Sequence, residues 1–259
     1  MFPLRSFSVA LLFAASLTSI TADQKRRIEV LTTVFENSRA EFQYGYIEDL
    51  HDGRGYTAGR IGFCTGTGDL LEVVERYTAL QPGNPLAAYL PELRRLATSA
   101  SDRTSGLPGF ERNWKRAATD PSFRTSQDEE VEQSYFLPAL EVAKSVGAET
   151  ALSKGFLYDT LVQHGNGDDP DGLPALLLRA EHAAGGTPKS GVTEQIWLST
   201  LMDQRLSTLL NATDPDTRAA WAESVDRVHA YRSILISGNW NLDGPIHVRV
   251  YGDFDGWIP

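Results

Sequence analysis

The chain has 259 residues, 41% of them hydrophobic and 22% charged, enough to bury a substantial core and too balanced for a disordered or repetitive protein. A formal charge of −10 runs against nucleic acid, whose binding needs Lys and Arg to neutralise phosphates, and it favours a cationic partner through long-range steering. The single cysteine, Cys64, excludes an intramolecular disulfide; in GFCTGTG, with no neighbouring base, it reads as a buried thiol rather than a nucleophile.

In chain order, residues 1–22 read as a cleaved secretory leader: one arginine, no acid, an apolar run from Val9 to Leu17, and small residues near Ala22. The run is too short for a confident membrane span, so 23–259 is expected to be an exported protein that does not bind membranes. Without Arg5 it keeps 23 of the 24 basic residues against 34 acidic ones, a charge of −11.

DQKRRIEVLTTVFENS predicts a helix with Ile28, Leu31, Val34 and Phe35 on one face and Glu36 at its end. Residues 41–68 lose that period and gain glycines at 45, 53, 55, 59, 62, 66 and 68, which suits strands and tight turns. Asp52-Gly53 is a hairpin-turn signal. Asp69, with Glu72 three residues on, reads as the cap of DLLEVVERYTAL. Asn84-Pro85, Asp120-Pro121, Thr187-Pro188 and Asp214-Pro215 each read as an N-cap followed by proline at the first helical position. The segment 100–127, rich in Ser, Thr and Gly, reads as a long surface loop or the edge of a lobe. Helices are predicted over 128–146, 149–164, 173–184, 191–210 and 215–236, and GNWNLDGPIHVRVYGDF as turns and a short extended tail. Helices with a small sheet make the chain mainly α or α+β.

Cutting a glycosidic bond needs one protonated carboxyl to assist the leaving oxygen and one ionised carboxylate to activate water or attack carbon. Glu36, closing an apolar helical face where desolvation would keep it an acid, and Asp52, in a glycine-bounded turn beside Arg54 that would keep it ionised, fit those two roles.

The stretch ENSRAEFQY followed by GYIEDLHDGRGYTAGRIGFCTGTGD resembles the chitosanases of glycoside hydrolase family 46. The shared pattern combines Glu36-Asn37, Tyr44, Asp52, Arg54-Gly55, Thr57, Gly62 and Asp69, and the likeness continues through PGNPLAAYLPEL, YDTLVQHGNGDDP, SGNWNL and VYGD. It implies one catalytic domain over 23–259: a lysozyme-like two-lobed fold with a small β-sheet in one lobe and a substrate cleft between the lobes. The implied activity is endo-acting, inverting hydrolysis of chitosan and glucosamine oligosaccharides, by a monomer that uses no cofactor or metal. Glu36 would be the general acid, Asp52 the general base, and Thr57 would hold the attacking water, with the carboxyls roughly 6.5 to 9.5 Å apart. Tyr46, Arg54, Asp69 and His164 match substrate-contacting positions; capping is the competing role for Asp69 and, at a helix C-terminus, for His164. Asp159 and Arg205 match a buried ion network behind the acid. Its third member should be an arginine of SVDRVHAYR, where the spacing departs by a residue, leaving Arg227 as the candidate and Arg232 as the rival.

Weaker signals are set aside. CTGTGDLL lacks the third glycine of a dinucleotide-binding turn and the lysine of a phosphate loop. GNGDDPDG spaces Asp168, Asp169 and Asp171 like a calcium loop, but Gly167 and Leu178 hold the first and last ligand positions, so it reads as a solvated loop. The five tryptophans suit core as well as sugar stacking. Two other readings stay open: a lysozyme-like peptidoglycan hydrolase, and a chitosan-binding protein without activity.

Overall fold

The computed structural model describes residues 20–259 apart from Tyr251, so the predicted leader falls for the most part outside the described residues. Helix α1 (Ala22–Asn37) opens on a capping box in which Thr21 and Gln24 satisfy each other's backbone N–H groups, and it buries Ile28, Leu31 and Val34. It stops at Ser38, whose left-handed conformation (φ 53°) ends the run. A three-stranded antiparallel sheet follows: β1 (Ile47–Asp49), β2 (Tyr56–Ala58) and β3 (Phe63–Cys64), in that order. The register pairs Ile47 with Ala58 and Asp49 with Tyr56, so Asp52 and Gly53 lie in the loop of the β1–β2 hairpin. Gly55 is needed there, because a Cβ would fall 2.2 Å from Thr65 Oγ1 and the residue has a φ of +78°.

Helices α2 (Asp69–Leu80), α3 (Leu90–Thr98) and α4 (Phe110–Ala117) complete the first lobe, with α2 packed on α3 and α4 on β1. Residues 100–127 are therefore not a long loop. FERNWKRA buries Phe110, Trp114 and Ala117 on one face, and Asp120 caps α5 (Pro121–Val131) through a hydrogen bond from Ser122 N. The Ser and Thr content that argued for a loop is spread over turns and helices, with Ser126 fully buried.

The helix predicted over 128–146 begins earlier, as α5, and is interrupted. A π-helical turn at Glu132–Phe136 leads into α6 (Leu137–Val146), with Leu137 N donating to Glu132 O five residues back. Pro138 explains the irregularity: its nitrogen has no proton to donate and its ring would strike the carbonyl four residues earlier, so the helix widens by one residue. This element carries the chain from the first lobe, where α5 packs on α2, to the second, where α6 packs on α7 (Ala151–His164).

Helix α7 is buried along nearly its whole length and forms the axis of the second lobe. Gly155 lets α1 and the last helix approach it, since a Cβ there would meet Ile28 at 3.0 Å and Tyr231 Oη at 3.2 Å. Around α7 and its neighbours stand α8 (Leu173–Ala184), α9 (Glu194–Leu210), α10 (Pro215–Glu223) and α11 (Asp226–Ile236), so the helix predicted over 215–236 is two helices. The predicted extended tail is a hairpin, β4 (Ile246–Val250) with β5 (Phe254–Ile258), whose inward residues Ile246 and Val248 alternate with exposed His247 and Arg249. The fold is mainly helical with small antiparallel sheets, as expected. Trp114 and Trp197 are core. Among the described residues no helix is long and apolar enough to cross a membrane.

Candidate active site

A cleft of about 1010 Å³ is lined by Glu36, Tyr46, Arg54, Thr57, Asp69, Tyr135, His164, Trp221 and Arg227, among others. It takes residues from α1, the three-stranded sheet, the π-helical turn, the end of α7, α10 and the start of α11.

Glu36, on the last turn of α1, accepts a hydrogen bond at Oε1 from Arg227 Nη2 at 2.7 Å. The apolar surrounding expected for it is corrected here: α11 delivers a guanidinium to the end of α1. Arg227 also donates from Nη2 to Asp159 Oδ1 at 2.9 Å and from Nε to Oδ2 at 3.1 Å. Asp159 is fully buried on α7, and it receives Arg205 Nη1 of α9 at 2.8 Å and Thr32 Oγ1 of α1 at 2.9 Å. Arg227 thus stands where the spacing left a choice, while Arg232 pairs with Asp203 on the surface at 2.7 Å.

Burial pushes the Asp159 carboxyl up, but the two guanidiniums outweigh it and hold it down at about 2. Burial lowers Arg205 to about 10, its contact with Asp159 opposing the shift only in part. Arg227 is driven the other way, above its usual value, because Asp159 and Glu36 together overcome the cost of burial.

Asp52 lies in the β1–β2 loop beside the cleft, engaged by Arg54, which lines it. Its Oδ1 accepts from Arg54 N at 3.1 Å and its Oδ2 from Arg54 Nη2 at 2.6 Å. Partial burial raises the carboxyl, but these bonds prevail and hold it below its ordinary value. Thr57 is buried on β2 and its hydroxyl lies 3.5 Å from Cys64 Sγ. Cys64 is buried, as its sequence setting suggested, and burial pushes its thiol up. The hydroxyl of Tyr46 donates to Glu48 Oε2 at 3.2 Å.

Asp69 does not cap α2. It is the first residue of the helix, Gly68 holds the cap position, and no side-chain cap bond forms. Its Oδ1 instead accepts from Cys64 N at 2.8 Å, Thr67 Oγ1 at 2.6 Å and Leu70 N at 3.0 Å. Its Oδ2 accepts from Tyr135 Oη at 2.9 Å. Burial raises this carboxyl, against the pull of those donors.

His164 ends α7, yet it does not cap that helix. Its Nδ1 bonds the carbonyl oxygen of Asp171 at 2.9 Å. A carbonyl only accepts, so Nδ1 carries the proton and Nε2 is a bare acceptor, buried without a partner among the described residues. Trp221 meets the ring edge-on at 4.6 Å. The GNGDDPDG segment is exposed over residues 166–170, as a solvated loop should be, but Asp171 is buried, accepting from Thr213 N at 2.7 Å.

Burial, with Arg205 nearby, lowers His164 to about 3. The sign follows: below its ordinary value of 6.5 the unfolded chain takes up a proton that the folded chain refuses. Stability from this group is therefore complete above about pH 6.5 and is lost as pH falls toward 3. His164→Gln is expected to flatten the slope of unfolding free energy in that window, measured by urea melts at closely spaced pH values.

Sequence reasoning missed Tyr135, Thr32 and Thr67. A lone tyrosine in a helical stretch and two threonines carry no signal until the fold brings them to Asp69 and Asp159.

A family model described as glycosyl hydrolase family 46 matches residues 30–246. A chitosanase of Bacillus subtilis (strain 168) is 52% identical over 244 residues, 93% of this chain and 87% of its own. A chitosanase from a Streptomyces species is 41% identical over 226 residues, 86% of this chain and 78% of its own. The crystal structure of a mutant chitosanase from Bacillus subtilis MY002 complexed with six GlcN units superposes with a TM-score of 0.89 at 50% identity, over 93% of this chain and all of that one. A Gynuella sunshinyii chitosanase in complex with chitotetraose gives a TM-score of 0.88 at 41% identity, covering 93% and 99% of the two chains.

Proposed function

Since the chain belongs to glycosyl hydrolase family 46, we propose that it is a secreted endo-chitosanase, cutting β-1,4 linkages between glucosamine units by single displacement with inversion. The observation that carries this reading is the setting of Glu36. Arg227 holds its Oε1, and Oε2 has no hydrogen-bond partner among the described residues, so a protonated Oε2 can meet the leaving oxygen. The proton passes from Glu36 to that oxygen as the bond to C1 breaks. Water, held by the Thr57 hydroxyl, adds to C1 from the opposite face and gives its proton to Asp52, which Arg54 keeps ionised. Asp52 then releases its proton to solvent, and solvent reprotonates Glu36.

Asp69 offers a carboxylate fixed by four donors, suited to a glucosamine ammonium group. The unpartnered His164 Nε2 can accept from a substrate hydroxyl or amine, and Tyr46 and Arg54 add further polar contacts. The excess of acidic residues steers the cationic polymer to the cleft.

Digestion of defined glucosamine oligomers, followed by proton NMR from the first minutes, tests the reading. The first new reducing ends are expected to be α-anomers, with internal bonds of a hexamer cut in preference to terminal ones. β-Anomeric first products would exclude inversion, and cleavage of cell-wall sacculi in place of the oligomers would exclude the substrate.

A further inference from the structure

A second buried arginine, Arg60, lies outside the cleft and takes no part in the chemistry above. It sits in the turn between β2 and β3, three residues beyond Thr57, with 2% of its side chain exposed. Its Nη2 lies 3.3 Å from Glu29 Oε2 of α1. Its Nη1 bonds Asp128 of α5, a residue that also accepts from Tyr44 Oη at 2.9 Å. The guanidinium lies over the Phe42 ring at 3.9 Å, and the backbone N–H donates to Gln127 Oε1 at 3.1 Å.

These contacts join three parts of the molecule that carry the site. Glu29 and Glu36 stand seven residues apart on α1, two turns along one face of the helix. Thr57 belongs to the same hairpin as Asp52, and Asp128 lies on the helix that links the lobes. We propose that Arg60 is a positioning residue: by clamping the β2–β3 turn to α1 and α5, it sets the separation between Glu36 and the Asp52–Thr57 side of the cleft.

Stability alone is a poor account of the clamp, because a buried ion pair is often no better than apolar residues of similar volume, and among the described residues neither Nε nor Nη2 of Arg60 has a hydrogen-bond partner, Nη2 meeting Glu29 as an ion pair only. Separation, in contrast, is what inversion depends on: one water must fit between the acid, the sugar and the base. A misplacement of about 1 Å costs about 100-fold in rate.

The inference rests on the chitosanase reading, and the test separates the two. The parent chain, Arg60→Lys, Arg60→Met, Asp128→Asn and the double variant Arg60→Met/Glu29→Gln are compared on glucosamine hexamer, well below their melting temperatures. Arg60→Met is expected to lower kcat by about 10- to 100-fold with KM changed less than about twofold. Arg60→Lys should retain part of the loss-sensitive rate, and Asp128→Asn, a milder change at a half-exposed partner, should lower kcat about threefold or more at unchanged Tm. Removing the Glu29 charge, which among the described residues would keep only Lys25 at 4.0 Å, should recover Tm in the double variant without recovering kcat. If the double variant regains both, or if Arg60→Lys and Asp128→Asn keep parental kcat, Arg60 contributes stability only and the inference is overturned. If the parent chain leaves the hexamer intact, the chitosanase reading falls and takes the inference with it.

Discussion

Glu36→Gln is expected to lower kcat on glucosamine oligomers by about 1000-fold, a typical share for a general acid, with Tm within about 2 °C of the parent. Glutamine has the same shape, and its amide oxygen can still accept from Arg227 Nη2, so the contact at 2.7 Å survives. What it lacks is a transferable proton. Asp52→Asn is expected to lose a similar factor for the complementary reason: an amide can still accept from Arg54 but cannot take a proton from water. Stopped assays of reducing-end release, paired with thermal melts, check both variants. A Glu36→Gln enzyme with more than about a tenth of parental kcat would remove Glu36 from the acid role.

Asp159→Asn is expected to produce the largest loss of stability, about 3–5 kcal/mol, because two buried guanidiniums lose their shared counter-charge. Arg205 is wholly buried, and its other partners, Thr160 Oγ1 and Gln163 Oε1, are neutral. The pH dependence carries its own signature. Asp159 is held at about 2 against an ordinary 3.8, so its contribution is fully present above about pH 3.8 and disappears as pH falls toward 2. Chemical denaturation from pH 5 to 2 should show a parental slope that the asparagine variant lacks between those values. The variant should also lose activity, since Arg227 is oriented by Asp159 before it reaches Glu36. Parental stability in Asp159→Asn would mean that the buried network is held by packing alone.

Much of this arrangement was legible in the sequence because it follows from short-range rules. Helix ends announced themselves through Asp120 with Pro121 and the Gly and Pro punctuation elsewhere, while the Thr21–Gln24 box began inside the stretch read as a leader. The glycine-rich stretch around Asp52 could hardly be helical, and it is the hairpin loop. Glu36 stood out as a charge closing an apolar helical face, while Asp159 and Arg205 were reached through the family resemblance. What stayed hidden was relational. No spacing says that Arg227 rather than Arg232 turns inward; that depends on which face of α11 meets α7. Asp69 looked like a cap because its type and position suited one, yet donors from the preceding turn, Cys64 and Thr67, and the distant Tyr135 took its oxygens instead. Residues 100–127 misled because Ser and Thr were weighed by count, while the spacing of Phe110, Trp114 and Ala117 carried the helix.

The extra residue lodged before Pro138 has a consequence for phase. Buried positions along the linking helix fall at Phe123, the pair Ser126 and Gln127, and the pair Glu130 and Val131, then jump five from Val131 to Phe136 before resuming at Ala139 and Ala143. A regular helix advances about 100° per residue, so the stripe that serves the first lobe and the stripe that serves the second are offset by about that angle. Deleting one residue between 132 and 136 would remove the wide turn that accommodates Pro138 and would also disturb the assembly of the two lobes. Either Tyr135 would rotate off Asp69, or one lobe would turn against the other. The irregular turn works as a phase shifter, and the relative orientation of the two halves is written into that single insertion.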